Sequence, residues 1–247
     1  MIASIKNFLR RKPAPTEKGV IEAYDIWSED YDLQPGNLML DLDNEIFGNL
    51  LTRLHLENKV IADIGCGTGR HWKKLYSRKP SLVAGFDVSA GMLKNLILKY
   101  PGAVTRQITD NRFANVPDAC FDVIVTTLTI AHIQDIDEAI AAWSRILRPG
   151  GDLIITDFHP ETLAKGGTRS FTRHGKTFSV VNYIHPLGEV IRTFHKYNLM
   201  VYTKAERNID ERVRHYYASQ NALPVYERFR GTPVIYGMHL RKTHAAQ

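Results

Sequence analysis

Ten residues from Val60 to Gly69, V-I-A-D-I-G-C-G-T-G, set one acid and three alternating glycines at the end of an apolar, β-branched run. Glycine accepts positive φ and has no Cβ, so Gly65, Gly67 and Gly69 allow a backbone turn to approach a ligand closely. A dinucleotide-binding turn expects its third glycine one residue later, where this chain has Arg70. A second acid, Asp87, ends the next apolar run in G-F-D-V-S. A carboxylate there accepts hydrogen bonds from both hydroxyls of a ribose, which suits any adenosine ligand. The third, Asp110 in T-D-N-R-F, can accept from an adenine amino group while a neighbouring backbone N–H donates to a ring nitrogen. A single turn acid is common. Three at the ends of three successive runs point to an adenosine-bearing cofactor.

These acids need a scaffold, and the hydrophobic pattern supplies one. Strands are expected at 60–64, 82–86, 104–108, 121–127 and 152–156, with helices at 70–77, 90–99 and 136–147 between them. The last helix should stop sharply at Arg148-Pro149-Gly150-Gly151, followed by a turn. Alternating strand and helix predicts a doubly wound α/β domain with a mostly parallel, Rossmann-like sheet. An amphipathic helix around 40–56 precedes this core, after a polar stretch carrying Tyr24, Trp27 and Tyr31. Beyond Thr156 the pattern changes to a short hairpin over 168–181 turning at His174-Gly175. A helix at 185–197, a strand at 199–204, a helix at 209–220 and a final strand at 234–240 follow. The expected division is a basic tail over 1–19 and one domain over 20–247. Within that domain lie a cofactor-binding core (20–157), an insertion on the substrate side (158–185) and the rest of the sheet (186–247).

Composition narrows the setting. At 247 residues the chain can bury a substantial core, and no run is long and apolar enough to span a membrane. Two cysteines, Cys66 and Cys120, form neither a zinc cluster nor a disulfide framework, which points to a reducing, cytoplasmic compartment. The acid-free first sixteen residues read as a frayed basic tail or an organellar targeting segment. Charge is uneven: thirteen basic residues face nineteen acids over 20–160, and fourteen face six over 161–247. The basic last third suits an anionic partner or consists of solvated faces.

The motifs together resemble the class I S-adenosylmethionine-dependent methyltransferases of the small-molecule type. D-I-G-C-G-T-G is similar to that family's first motif, G-F-D-V-S-A-G-M-L to its second, and T-D-N-R-F-A-N-V-P-D-A-C-F-D-V-I to its third. R-I-L-R-P-G-G at 145–151 matches the turn before the fifth strand, and A-Y-D-I-W-S-E-D-Y-D at 23–32 resembles the N-terminal element. The resemblance covers 20–157 and implies a seven-stranded sheet with an N-terminal helical cap and an insertion after the fifth strand. It implies S-adenosylmethionine as cofactor and S-adenosylhomocysteine as product. Gly65, Cys66 and Gly67 would pass the methionine end, whose amino group Asp63 would help to hold. Asp87 would take the ribose, with Val88 beside it. Asp110 would take the adenine amino group while Asn111 donates its backbone N–H. Met92 would pack on the adenine face or serve as ordinary core. Thr127 would border the methionine moiety, with Tyr31 above it.

The cofactor's sulfonium is already activated, so such a protein must align a nucleophile and exclude water. A base is needed only for an acceptor that holds its proton, and His132 and His159 are the candidates after the fourth and fifth strands. His185, before Pro186, suits a capping or packing role. There is no N-P-P-Y or D-P-P-Y sequence, no Pro-Cys pair and no acid cluster suited to a divalent metal. Transfer to oxygen, nitrogen or ring carbon of a small acceptor, anionic or aromatic, remains, with nucleic acid disfavoured. Two alternatives stay open: an RNA or protein methyltransferase using the basic third, and a cofactor-binding protein without catalysis.

Overall fold

The computed structural model describes residues 14–243. The first elements are β1 (Thr16–Lys18), α1 (Val20–Trp27), α2 (Leu38–Leu51), β2 (Val60–Ile64), α3 (Trp72–Tyr76) and β3 (Leu82–Asp87). Next come α4 (Ala90–Lys99), β4 (Val104–Gln107), β5 (Phe121–Thr127), α5 (Ile136–Ile146), β6 (Leu147–Phe158) and α6 (Pro160–Ala164). The last stretch holds β7 (Ser170–Arg173), β8 (Lys176–Val180), α7 (Leu187–Lys196), β9 (Leu199–Asn208), α8 (Arg214–Ser219), α9 (Leu223–Phe229) and β10 (Pro233–Lys242).

Seven strands form one sheet in the order β4-β3-β2-β5-β6-β10-β9, in which β10 runs antiparallel between β6 and β9. The central strands are buried on both faces, so they read as apolar runs rather than alternations. Helices cover both faces. Phe47 and Leu50 of α2 pack with Trp72 and Leu75 of α3 on one side. Ile140 and Trp143 of α5 pack with Phe194 of α7 on the other. Chain order reverses between β2 and β5, and the crevice beyond the carboxyl ends of those two strands is where open α/β sheets bind ligands.

A second sheet, β1-β8-β7, lies outside the first. Its hairpin turns at His174 and Gly175, both left-handed (φ 46° and 73°), the turn that matches the twist of two paired strands. Thr16 to Lys18, placed in the basic tail by the sequence, pair in parallel with Phe178 to Val180; residues 1–13 of that expected tail lie outside the described residues.

Three expectations are corrected. Helix α5 stops at Ile146, next to Arg148-Pro149-Gly150-Gly151 as expected, but no separate turn follows: β6 runs through these residues from Leu147 to Phe158. Pairing with β5 holds at Phe121–Leu147 and resumes at Val123–Asp152, so the surplus residues bulge out, with Gly150 at φ 74°. Asp122 pins the bulge by accepting from Arg148 at 2.6 Å. The helix expected over 209–220 divides into a 3-10 turn, Glu211–Val213, and the short α8, and α9 follows unforeseen. Asn221, at φ 55°, separates the two helices. Helix α2 starts at Leu38 rather than Leu40, because the Asn37 side chain accepts from the N–H groups of Met39 and Leu40.

Candidate active site

The turn after β2 is anchored before it can meet a ligand. The N–H groups of Gly65 and Cys66 donate to the carbonyl of Phe86 at 2.7 and 3.1 Å, which ties the turn to β3. Gly65 has φ 68°, and a Cβ there would stand 2.2 Å from Thr129 Oγ1. Only glycine fits. Gly67, at φ 53°, would carry a Cβ with nothing within 4 Å, so its backbone faces open space. Asp87 spans this turn and the next helix: its carboxylate accepts from Gly67 N–H and Ser89 N–H, each at 2.8 Å. Burial pushes its pKa up, while backbone N–H donors at Ser89, Gly67 and Val88 pull it back.

These elements enclose a cleft whose empty space, open to solvent on one side, is about 790 Å³. Its floor is Gly65, Gly67, Asp87, Val88 and Thr127, and its far wall includes Met92 and Asn111. Val20, Ile21 and Tyr24 of α1, with Tyr31, roof it. The loop after β5 supplies Leu128, Thr129 and His132. Leu128 sits in the left-handed region at φ 54°, a costly position for leucine and the kind of strain that collects at functional sites.

His132 is fixed at both ring nitrogens. Nδ1 lies 3.0 Å from the Val181 carbonyl, which can only accept, so Nδ1 carries the proton. Nε2 is therefore an acceptor and receives the Tyr24 O–H at 2.9 Å. Burial lowers the His132 pKa to about 4, so the ring is neutral at physiological pH. Burial also pushes the Tyr24 phenol well above its usual range.

Of the residues singled out in the sequence, Tyr31, Gly65, Gly67, Asp87, Val88, Met92, Asn111, Thr127 and His132 line this cleft. Asp63, Cys66, Asp110 and His159 do not. Asp63 is buried behind the turn, accepting from Trp72 Nε1 at 2.7 Å, and burial raises its pKa to about 7. The Cys66 side chain lies against Gly85, where a Cβ would come within 2.9 Å of its sulfur. Asp110 turns to the backbone N–H of Arg112 at 2.9 Å. His159 caps α6, its Nδ1 accepting from Glu161 N–H at 3.3 Å and its Nε2 3.5 Å from Glu206. His185 donates to the Ile133 carbonyl at 2.7 Å, a structural role.

Two residues escaped the sequence reading. Tyr24 was noted only as one of several aromatics, yet it is the partner of His132. The other is Asp43, which no local pattern in the sequence marks. It is fully buried and joins α2 to the glycine turn through Arg70, His71 Nε2 at 2.8 Å and the Thr156 hydroxyl. The Arg70 guanidinium beside it, aided by His71, holds its carboxyl far below the carboxylate range despite burial, which acts the other way.

Comparison with known proteins agrees with this geometry. The family model described as a methyltransferase domain matches residues 62–155, the segment from the glycine turn through β6. An uncharacterized methyltransferase of Emericella nidulans is 29% identical over 209 residues, covering 69% of this chain and 72% of that protein. A malonyl-[acyl-carrier protein] O-methyltransferase of a Methylovorus species is 28% identical over 165 residues, 61% of this chain; the match spans only 55% of that protein. In fold, an S-adenosylmethionine-dependent methyltransferase from Mesorhizobium loti superposes with a TM-score of 0.62 at 18% identity, over 79% of this chain and 96% of its own.

Proposed function

We propose that this chain, which belongs to the class I S-adenosylmethionine-dependent methyltransferases, methylates a small molecule in the cleft between the glycine turn and α1. The observation that carries the reading is the roofed cleft itself. Tyr24 and Tyr31 line the same cleft as Gly67 and Asp87, which supports an acceptor held beside the glycine turn under an aromatic cover. The Methylovorus relative acts, by its name, on a malonyl thioester, which supports a compact acceptor.

The cofactor fits the residues present. The open face of Gly67 and the carboxylate of Asp87 stand together where a ribose needs acceptors, and Gly65 leaves no side chain in the way. In this reading Gly65, Gly67 and Thr127 border the methionine end, Val88 and Met92 flank the adenine, and Asn111 offers a backbone N–H. Asp63 and Cys66 act behind the cleft, Asp63 positioning the turn through Trp72 and Cys66 packing beneath it, while the exposed Asp110 shapes the loop that carries Asn111. When bound, the cofactor supplies an activated methyl group.

The chain's own residues handle the acceptor's proton. An acceptor hydroxyl or amine in the cleft can donate to the Tyr24 oxygen, whose proton is already directed at His132 Nε2. On methylation the acceptor's proton would pass to the Tyr24 oxygen and the phenolic proton to His132 Nε2, while the bound cofactor would supply the methyl group and keep the electron pair of the broken sulfur–carbon bond as S-adenosylhomocysteine. A base held near pKa 4 suffices, because the acceptor becomes strongly acidic as it is methylated. His159, engaged at a helix start, has no part in this path. Both cysteines are unpaired thiols, which supports a reducing, cytoplasmic setting.

Calorimetry with S-adenosylhomocysteine tests the reading. The wild-type chain should bind it, and Asp87→Ala should bind at least about tenfold more weakly, the loss of one or two charge-assisted hydrogen bonds. Absence of binding by the wild type, or equal binding by the variant, would reject the proposal.

A further inference from the structure

Arg169 is a buried cation with no direct ion pair; the carboxylates of Asp157 and Asp43 act on it only from beyond pairing distance. It is 4% exposed, and among the described residues no carboxylate lies within ion-pairing distance of it. Its one side-chain hydrogen bond runs from Nη2 to the Tyr31 hydroxyl at 3.1 Å, and its Nε–H has no acceptor. Four aromatic rings surround it instead. The guanidinium carbon stands 4.8 Å from the centre of Trp27, 5.4 Å from Phe158 and 6.0 Å from both Tyr24 and Tyr31. Rings stabilise the guanidinium through their faces but cannot accept its in-plane N–H bonds. Burying a charge costs several kcal/mol even when it is paired. A fold that leaves Nε–H open behind an active cleft has a use for it.

Its position indicates the use. Tyr24 and Tyr31 line the cofactor cleft on one side of Arg169. On the other side Phe158, with the chain neighbours Thr168 and Ser170, lines a second cleft, and Arg169 itself lines neither. The guanidinium thus sits in the partition between the two. The ring that it approaches at 6.0 Å, Tyr24, is the one that hydrogen-bonds His132. We infer that Arg169 anchors the methyl acceptor by an anionic group, a carboxylate or a phosphate, that enters from the second cleft. The Nε–Nη2 edge of arginine is a planar fork that matches two oxygens of either anion. The anion displaces the phenol of Tyr31 from Nη2 and satisfies Nε–H, while the acceptor's nucleophile lies a short distance away beside Tyr24.

This inference rests on the proposed methyl transfer, and the experiment separates the two. Calorimetry with S-adenosylhomocysteine on the wild type and on Arg169→Met comes first; failure of the wild type to bind would sink the methyltransferase reading, and the anion arm can still be run. Thermal unfolding is then followed while inorganic phosphate or acetate replaces chloride at constant ionic strength. Phosphate stabilises folded proteins in general by exclusion from their surface, so the readout is the difference between wild type and variant. The wild type should be stabilised by one anion or both beyond the response of Arg169→Met. A response to phosphate alone identifies a phosphorylated acceptor, and one to acetate alone a carboxylate. Arg169→Lys keeps the charge without the fork and should bind the effective anion at least about tenfold more weakly. Arg169→Met should also unfold at a higher temperature than the wild type without added anion, because an unpaired buried charge has gone. Equal responses of wild type and Arg169→Met would overturn the inference. So would a variant that unfolds earlier or no longer binds S-adenosylhomocysteine, since either outcome makes Arg169 a structural residue.

Discussion

At the scale of single residues, two side chains decide how the site is held and how it handles protons. Asp43 accepts from Arg70, His71 and Thr156 at once, so its removal strands a buried cation, a buried imidazole and a buried hydroxyl. Breaking such a cluster costs more than the cluster contributes net, about 3–5 kcal/mol. Asp43→Ala should therefore lower the urea midpoint by that equivalent, with Asp43→Asn intermediate because the amide oxygen still accepts. Tyr24 and His132 form the second device. Because burial lowers His132 from 6.5 to about 4, its neutral form persists far below the usual histidine range. The acid limb of kcat/KM should fall near pH 4 rather than 6.5. In the proposed path Tyr24 receives the acceptor's proton, so Tyr24→Phe should reduce kcat by about 10²-fold, the scale of a positioned acid–base group. S-adenosylhomocysteine affinity, measured beside kcat, should change little.

At the scale of elements, the added sheet is a clamp on the roof of the cleft. Phe171 of β7 stacks on Trp27 of α1 with ring centres 4.4 Å apart and planes inclined by 9°. Arg173 reaches across to the Ile26 carbonyl at 2.6 Å and to Glu29. Just beyond β8, the Val181 carbonyl sets the tautomer of His132. The hairpin therefore holds α1 from above and the imidazole from the side. Phe171→Ala empties a buried site at this junction, where large-to-small changes cost about 3–5 kcal/mol. Part of that loss should appear as local opening of α1. Hydrogen exchange of the amides in 20–27 should quicken more than exchange in β2 and β5, and uniform quickening across the sheet would argue against a clamp. This division also explains what could be read from the sequence. The glycine turn, the strands around it and the His174-Gly175 hairpin rest on neighbours in the chain, so residue type and spacing reveal them. The pair Tyr24–His132 joins residues 108 apart, Asp43–Thr156 113 and Arg169–Tyr31 138. No local pattern marks those partners. Asp63 stands one residue from the end of β2 and Asp110 three residues past the end of β4, and their side chains are engaged by Trp72 and by the backbone of Arg112.

At the scale of the whole molecule, part of the uneven charge is paired across the surface. Arg207 of the basic third pairs with Glu45, Lys196 with Asp137 and Arg173 with Glu29, so three of its cations meet acids of the preceding part of the chain. Buried titratable groups then govern how stability depends on pH. Asp63 and Asp157 are raised by burial from 3.8 to about 7, so between those values the folded chain binds more protons than the unfolded one. Their contribution falls as pH rises through that window. His71 and His132 are lowered by burial from 6.5 to about 4, so there the unfolded chain binds more protons, and their contribution rises with pH. Two groups of each sign oppose one another between about pH 4.5 and 6.5. Asp43, held far below 3.8, contributes stability above its ordinary value and loses it as the medium becomes more acidic. The wild type should accordingly show a nearly level urea midpoint from pH 4.5 to 6.5 and a steep loss below 4. Asp63→Asn removes one falling contribution while keeping an oxygen to accept from Trp72 Nε1. Its midpoint should climb with pH across the same window, and a variant as level as the wild type would show that Asp63 is ionised in the fold at pH 5.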